Sequence, residues 1–156
     1  MRLIGLLILL AIATASFFLE QNALAGTRWH CKTLKTDFLS QAFQPYQSLY
    51  ERMSITFQSD QTFSMREFVT ITEKDGNEAT MENLYSGYYG LDGDSLSMSI
   101  IDVRTATPFH DPIINNDYSE YKGVTIDYAI AVKDQSLYMF NEHRTEIFNW
   151  ACFNVQ

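Results

Sequence analysis

The side chains of this 156-residue sequence that could carry covalent or metal chemistry are two cysteines, Cys31 and Cys152, three histidines, His30, His110 and His143, and the carboxylates of its turns. A zinc site needs ligands at short spacings such as Cys-x-x-Cys or His-x-x-x-His, and neither spacing occurs. The histidines are far apart in the chain and outside any ligand or triad motif, so they read as surface or loop residues. Asp92-Gly93-Asp94 offers two of the oxygens of a calcium loop and lacks the further spaced ones, which makes it a hairpin turn. No Gly-x-Ser-x-Gly elbow presents an activated serine, and nothing singles out a pair of carboxylates for acid–base work. The expectation is a protein that is not an enzyme and that uses no metal or cofactor.

Redox chemistry at the cysteines is what remains, and the N-terminus sets its compartment. Arg2 precedes an apolar run from Leu3 to Leu19, followed by Glu20-Gln21-Asn22-Ala23-Leu24-Ala25. This reads as a signal peptide over residues 1–25 with a small-x-small cleavage site at Ala23 and Ala25. Cleavage would leave about 130 residues, 26–156, the size of one domain. The expected location is periplasmic or secreted. An oxidising compartment lets two cysteines pair and stay paired, and two allow one intramolecular connectivity, Cys31 to Cys152. Such a bond closes nearly the whole domain into one loop, worth roughly 4 to 5 kcal/mol in the chain-entropy model. After the signal no segment is apolar enough to cross a membrane, so no stable insertion is expected once it is removed. The net charge of −8 argues against nucleic acid and anionic membranes, and is compatible with a cationic partner.

The elements that must position these residues are strands. Trp29, Cys31 and Thr33 alternate with Arg28, His30 and Lys32, and Phe148, Trp150 and Cys152 repeat the pattern at the other end. Between them, period-two runs lie near 52–58, 62–71, 81–90, 95–103, 124–132 and 136–141, joined by turns such as Ser59-Asp60-Gln61, Asp75-Gly76 and Asp92-Gly93. With strands near 28–33 and 147–155 the total is eight. Ile101 and Val103 shift the alternation late in one strand. From Leu34 to Tyr50 the apolar residues Leu39, Phe43, Tyr46, Leu49 and Met53 recur at spacings of three and four, which predicts a lid of one or two helical turns broken by Pro45. Residues 104–122, with Pro108 and Pro112 and no period, predict a long loop. Sequential hairpins with tied ends describe an all-β, eight-stranded antiparallel up-and-down barrel, whose interior has room for packed side chains or one small ligand.

This layout resembles the lipocalin (calycin) family, with the long first connection where that family has its mouth-covering loop. The family's opening motif, a glycine close before a tryptophan on the first strand, is approximated by Gly26-Thr27-Arg28-Trp29 with one extra residue. Its later Thr-Asp-Tyr motif is echoed by Thr125-Ile126-Asp127-Tyr128, again with an insertion, and Arg144 stands where a basic residue falls near the last strand. The resemblance implies noncatalytic binding of a small apolar molecule. Small periplasmic lysozyme inhibitors are also disulfide-tied barrels, and Ser86-Gly87-Tyr88-Tyr89 is similar to their Ser-Gly-x-x-Tyr loop without its spacing or arginine. That second resemblance implies an acidic inhibitor or immunity-type protein for a cationic enzyme.

Each function has its own set of residues. The candidate interior is Ile55, Phe57, Phe63, Met65, Leu96, Met98, Ile126 and Tyr128, either packed solid or around a cavity. The candidate partner-binding loop carries Phe109, Tyr118 and Tyr121 among Asp111 and Asp117, rings for buried area and acids for steering. Ala151, Phe153 and Val155 face away from Trp150 and Cys152, and are either covered by residues 34–50 or form a patch for a partner. A monomer is expected, binding either a small apolar molecule or a cationic protein.

Overall fold

A computed structural model describes residues 22–38, 41–141 and 149–155. Eight strands follow one another around a closed antiparallel barrel. They are β1 (Thr27–Lys35), β2 (Tyr46–Phe57), β3 (Thr62–Glu73), β4 (Glu78–Asp92), β5 (Ser95–Thr107), β6 (Thr125–Lys133), β7 (Ser136–Phe140) and β8 (Trp150–Asn154), with one helix, α1 (Pro112–Ser119), between β5 and β6. Each strand pairs with its neighbours in sequence, and β8 returns to β1, where Cys31 stands opposite Cys152 and is joined to it by a disulfide. Period-two patterning drives the closure: on β2, Leu49, Met53, Ile55 and Phe57 are buried in alternation with polar residues.

The shifted alternation at Ile101 is a β-bulge. Gly87 pairs with Ile100 and Ser86 with Asp102, so Ile101 is the extra residue; its side chain is 53% exposed while Val103 packs back on the core. Gly87 is required there for closeness. A Cβ on it would lie 1.9 Å from the Ser99 carbonyl oxygen.

The helix is not where the spacing predicts it. Residues 41–45 form turns, β2 already begins at Tyr46, and Leu39 lies outside the described residues. Residues four apart share a face of a strand as well as of a helix, so Leu49 and Met53 fit both readings and tertiary pairing with β1 and β3 decides for the strand. Conversely, the expected loop at 104–122 begins as the end of β5, which runs to Thr107, and contains the helix α1. Pro112 sits in the first turn, where its missing N–H is no loss, and the Asp111 side chain accepts a hydrogen bond from the Ile113 amide at 2.9 Å. Ile114 and Tyr118, four apart, are its buried stripe.

The two ends of the barrel are closed differently. At one, α1 lays Ile114 and Tyr118 with Phe109 on Leu49, Val69, Ile71 and Met81, forming a second apolar cluster. At the other, Leu24 is fully buried in the main core, and the Gly26 amide bonds to the Phe57 carbonyl at 2.9 Å. Leu24 precedes the expected cleavage point after Ala25, while residues 1–21 of the expected signal lie outside the described residues. A formed disulfide fits an oxidising, extracytoplasmic compartment.

Candidate functional site

Strand pairing carries a transverse row of inward positions around the barrel: Cys31 opposite Met53, Met53 opposite Glu67, Glu67 opposite Asn83, and Asn83 opposite Thr105. Glu67 thus enters the interior in the position where the alternation Phe63, Met65, Val69, Ile71 calls for an apolar residue. Glu51 does the same between Leu49 and Met53 on β2. Both are buried, 4% and 1% exposed, and so is Asn83. Burying carboxyls requires partners.

Glu51 has an ion pair and hydrogen bonds to one of its oxygens. Lys35 Nζ lies 2.8 Å from its Oε1 and 2.7 Å from its Oε2, and the Tyr118 hydroxyl of α1 donates to Oε1 at 2.8 Å. The helix is therefore tied to the barrel wall by one phenol and one carboxylate. Glu67 has less: the Tyr85 hydroxyl donates to its Oε2 at 2.7 Å, and among the described residues no cation lies within ion-pair distance of it. Burial, and then the charge of Glu51, push the Glu67 carboxyl up to about 7, against weaker opposing effects of Tyr85, Lys35 and Asn83. Burial also raises the Tyr85 phenol, with the Glu67 charge next, and the Tyr118 phenol, with the Glu51 charge next; both stay neutral hydrogen-bond donors. Asn83 Oδ1 accepts from Thr105 at 2.9 Å, while its buried Nδ2 makes no hydrogen bond among the described residues.

Lys35, Glu51, Glu67, Tyr85 and Tyr118 line a cavity of about 50 Å³ inside the α1 end of the barrel, together with Tyr121, Tyr128, Trp150 and the methionines Met53, Met65, Met98 and Met139. Four of the five methionines after Met1 are in this one lining. The volume admits a few waters or a very small molecule, and is well short of the roughly 300 Å³ at which drug-sized sites begin. Thioether side chains are unbranched and flexible, so a methionine wall can open by rotamer changes that a Leu or Ile wall resists. The arrangement can hold an apolar body and hydrogen-bond one polar group.

Of the expected interior residues, Met65, Met98, Ile126 and Tyr128 line the cavity, whereas Ile55, Phe57, Phe63 and Leu96 belong to the packed core away from it. The interior is neither solid throughout nor hollow throughout. On the expected partner loop, Phe109 and Tyr118 are each 4% exposed and Tyr121 packs against the core, so these rings face the barrel and not solvent. Asp111 caps α1 and accepts from the Tyr46 hydroxyl at 2.8 Å, which holds its carboxyl below the usual range. Asp117 lies at the edge of α1, beside a narrow cleft it shares with Phe38 and Phe43. Ser86 to Tyr89 sits within β4, hydrogen-bonded to strands on both sides, and is not a protruding loop. His110 pairs with Glu73 at 3.3 Å at the surface, His143 and Arg144 lie outside the described residues, and among the described residues no cluster of three metal-ligating side chains occurs.

Lys35, Glu51, Glu67, Tyr85 and Trp150 were not singled out as site residues from the sequence. A signal was there for the two acids: each occupies an inward-parity position of an otherwise apolar strand face, which places a charge inside. No family model matches the chain, and no curated protein matches it either, so the likeness to lipocalins is one of barrel layout.

Proposed function

We propose that this is an exported, noncatalytic and monomeric binding protein of lipocalin-like type, which holds one small, largely apolar molecule at the α1 end of its barrel with the molecule's polar group on Glu67. The observation that carries the reading is a buried carboxyl with no cation at ion-pair distance among the described residues, facing a cavity walled by four methionines, four tyrosines and a tryptophan. Oε2 of Glu67 is occupied by Tyr85, so the second oxygen is the one available to a ligand. When protonated it donates to a carbonyl, ether or hydroxyl; when ionised it attracts an amine. The methionines adapt the volume to the apolar body. Lys35, Glu51 and Tyr118 hold α1 as the cover over it.

Native mass spectrometry of the protein purified from the exported fraction of its own host tests this. The expected result is one small molecule per chain, absent from a Glu67→Leu variant that keeps its disulfide and its far-ultraviolet spectrum. A bare wild-type chain would end the reading. A copurified cationic protein would support an inhibitor in its place.

A further inference from the structure

We propose that the outer face of β1–β3, bordered by β8, is a docking groove for an acidic segment of a partner protein. The charge distribution is lopsided: on an acidic molecule, with 19 Asp and Glu against 11 Lys and Arg, four of the basic residues, Arg28, Lys32, Arg52 and Arg66, share the outer face of these three strands. His30 joins them, and the outward positions of the three strands carry no acid. Strand register sets Lys32 beside Arg52, Arg52 beside Phe68, and Phe68 beside Glu82 on β4. A groove of about 370 Å³ lies on this face over His30, Lys32, Tyr50, Arg52, Phe68 and Phe153.

How the rings and cations sit selects the occupant. The Arg66 guanidinium lies 4.8 Å from the Phe68 ring centroid, that of Arg52 lies 5.9 Å from both Phe68 and Tyr50, and Lys32 Nζ lies 5.9 Å from Phe153. A guanidinium stacked by its face keeps its N–H edge free, the geometry that takes a carboxylate through two hydrogen bonds. Arg66 already uses its Nε on Glu82 at 2.7 Å, while Lys32 and Arg52 have no carboxylate partner among the described residues. The net charge of −8 opposes nucleic acid on this molecule. A flat anionic membrane does not enter a groove, and it is repelled by the acidic remainder of the surface. A peptide with alternating carboxylates and apolar side chains matches both features, the apolar ones meeting Phe153, 52% exposed, and Leu34, 64% exposed.

The probe is a fluorescein-labelled peptide of alternating glutamate and leucine, read by fluorescence anisotropy against the intact, disulfide-bonded chain, with the glutamine-for-glutamate peptide, a heparin hexasaccharide and phosphatidylglycerol vesicles as comparisons. The acidic peptide should bind, weaken at least about tenfold with Lys32→Gln/Arg52→Gln, and weaken again as salt rises to about 0.5 M, while the glutamine peptide fails. Arg52→Lys, which keeps the charge and loses the fork, should fall between. All of these side chains are at the surface, so the melting temperature should stay within a few degrees. Equal binding by the double variant, no binding of the acidic peptide, or preference for heparin or vesicles would each overturn the proposal.

Discussion

Glu67 and Tyr85 are diagonal neighbours on the inner wall of the barrel, the phenol hydroxyl donating to Oε2 of the carboxyl at 2.7 Å. The contact favours the ionised acid, yet burial and the nearby Glu51 charge outweigh it and raise the carboxyl from 4.5 to about 7. Between these values the folded state holds a proton that the unfolded state has released. Stability therefore falls as pH rises through this window, by on the order of 3 kcal/mol in total, and levels off above it. Glu67→Gln should remove that slope, so that the variant minus wild-type difference in unfolding free energy grows from pH 5 to pH 8. Parallel pH profiles in urea would show the opposite of a buried acid.

The Lys35–Glu51 pair should behave as a buried ion pair does when one partner is removed. Lys35→Met leaves Glu51 charged, 1% exposed and held only by Tyr118, and should cost about 3 to 5 kcal/mol. Lys35→Met/Glu51→Gln should recover much of the loss. Tyr118→Phe removes one hydrogen bond to a charged group and should cost less, about 1.5 to 3 kcal/mol. Urea unfolding of the four proteins checks the order.

Gly87→Ala should be among the most damaging single-methyl changes in the molecule. The added carbon meets a backbone carbonyl at 1.9 Å, which no rotamer can relieve, so β4 and β5 must part at the bulge. A loss at or above the usual 1 to 3 kcal/mol of overpacking is expected, with amide exchange accelerated at Ile100 and Ser99. A wild-type melting temperature would contradict the close approach.

The disulfide joins β1 to β8 across 121 residues of sequence, and β8 carries one of the shorter ladders of the barrel. Cys31→Ala/Cys152→Ala should cost about 2 to 5 kcal/mol and loosen β8 first. Hydrogen exchange would register this as lost protection at Ala151 and Phe153 before β3 or β4 is affected.

Particular residues show what could be read without coordinates. Period-two runs such as Phe63-Ser64-Met65 placed all eight strands, because an alternating pattern can bury one face only as a strand. Leu49 and Met53 misled about a helix because a spacing of four is common to both periods. Pro112 misled about a loop because proline ends helices when internal and starts them when first. Met65, Met98, Ile126 and Tyr128 read as interior along with Phe57 and Phe63, and nothing in the chain separates those at the cavity from those in the packed core, since strand register and barrel shear decide which inward residues meet a void. Phe109 and Tyr118 could be read either as partner anchors or as rings packed on the barrel rim, and they are buried in the roof, because the fold supplies an apolar cluster for them to cover.

The central claim, that a small molecule occupies the methionine-walled end of the barrel, is tested most directly by methyl NMR. The protein labelled with carbon-13 at its methionine methyls carries four reporters in the cavity, Met53, Met65, Met98 and Met139, and an internal control in Met81, which lies in the other apolar cluster. On titration with the small-molecule extract of the host's exported fraction, saturable shifts are expected at the four cavity methyls with Met81 little changed, and should be lost in Glu67→Leu. Unmoved methyls throughout the titration, or shifts at Met81 without the others, would contradict the account.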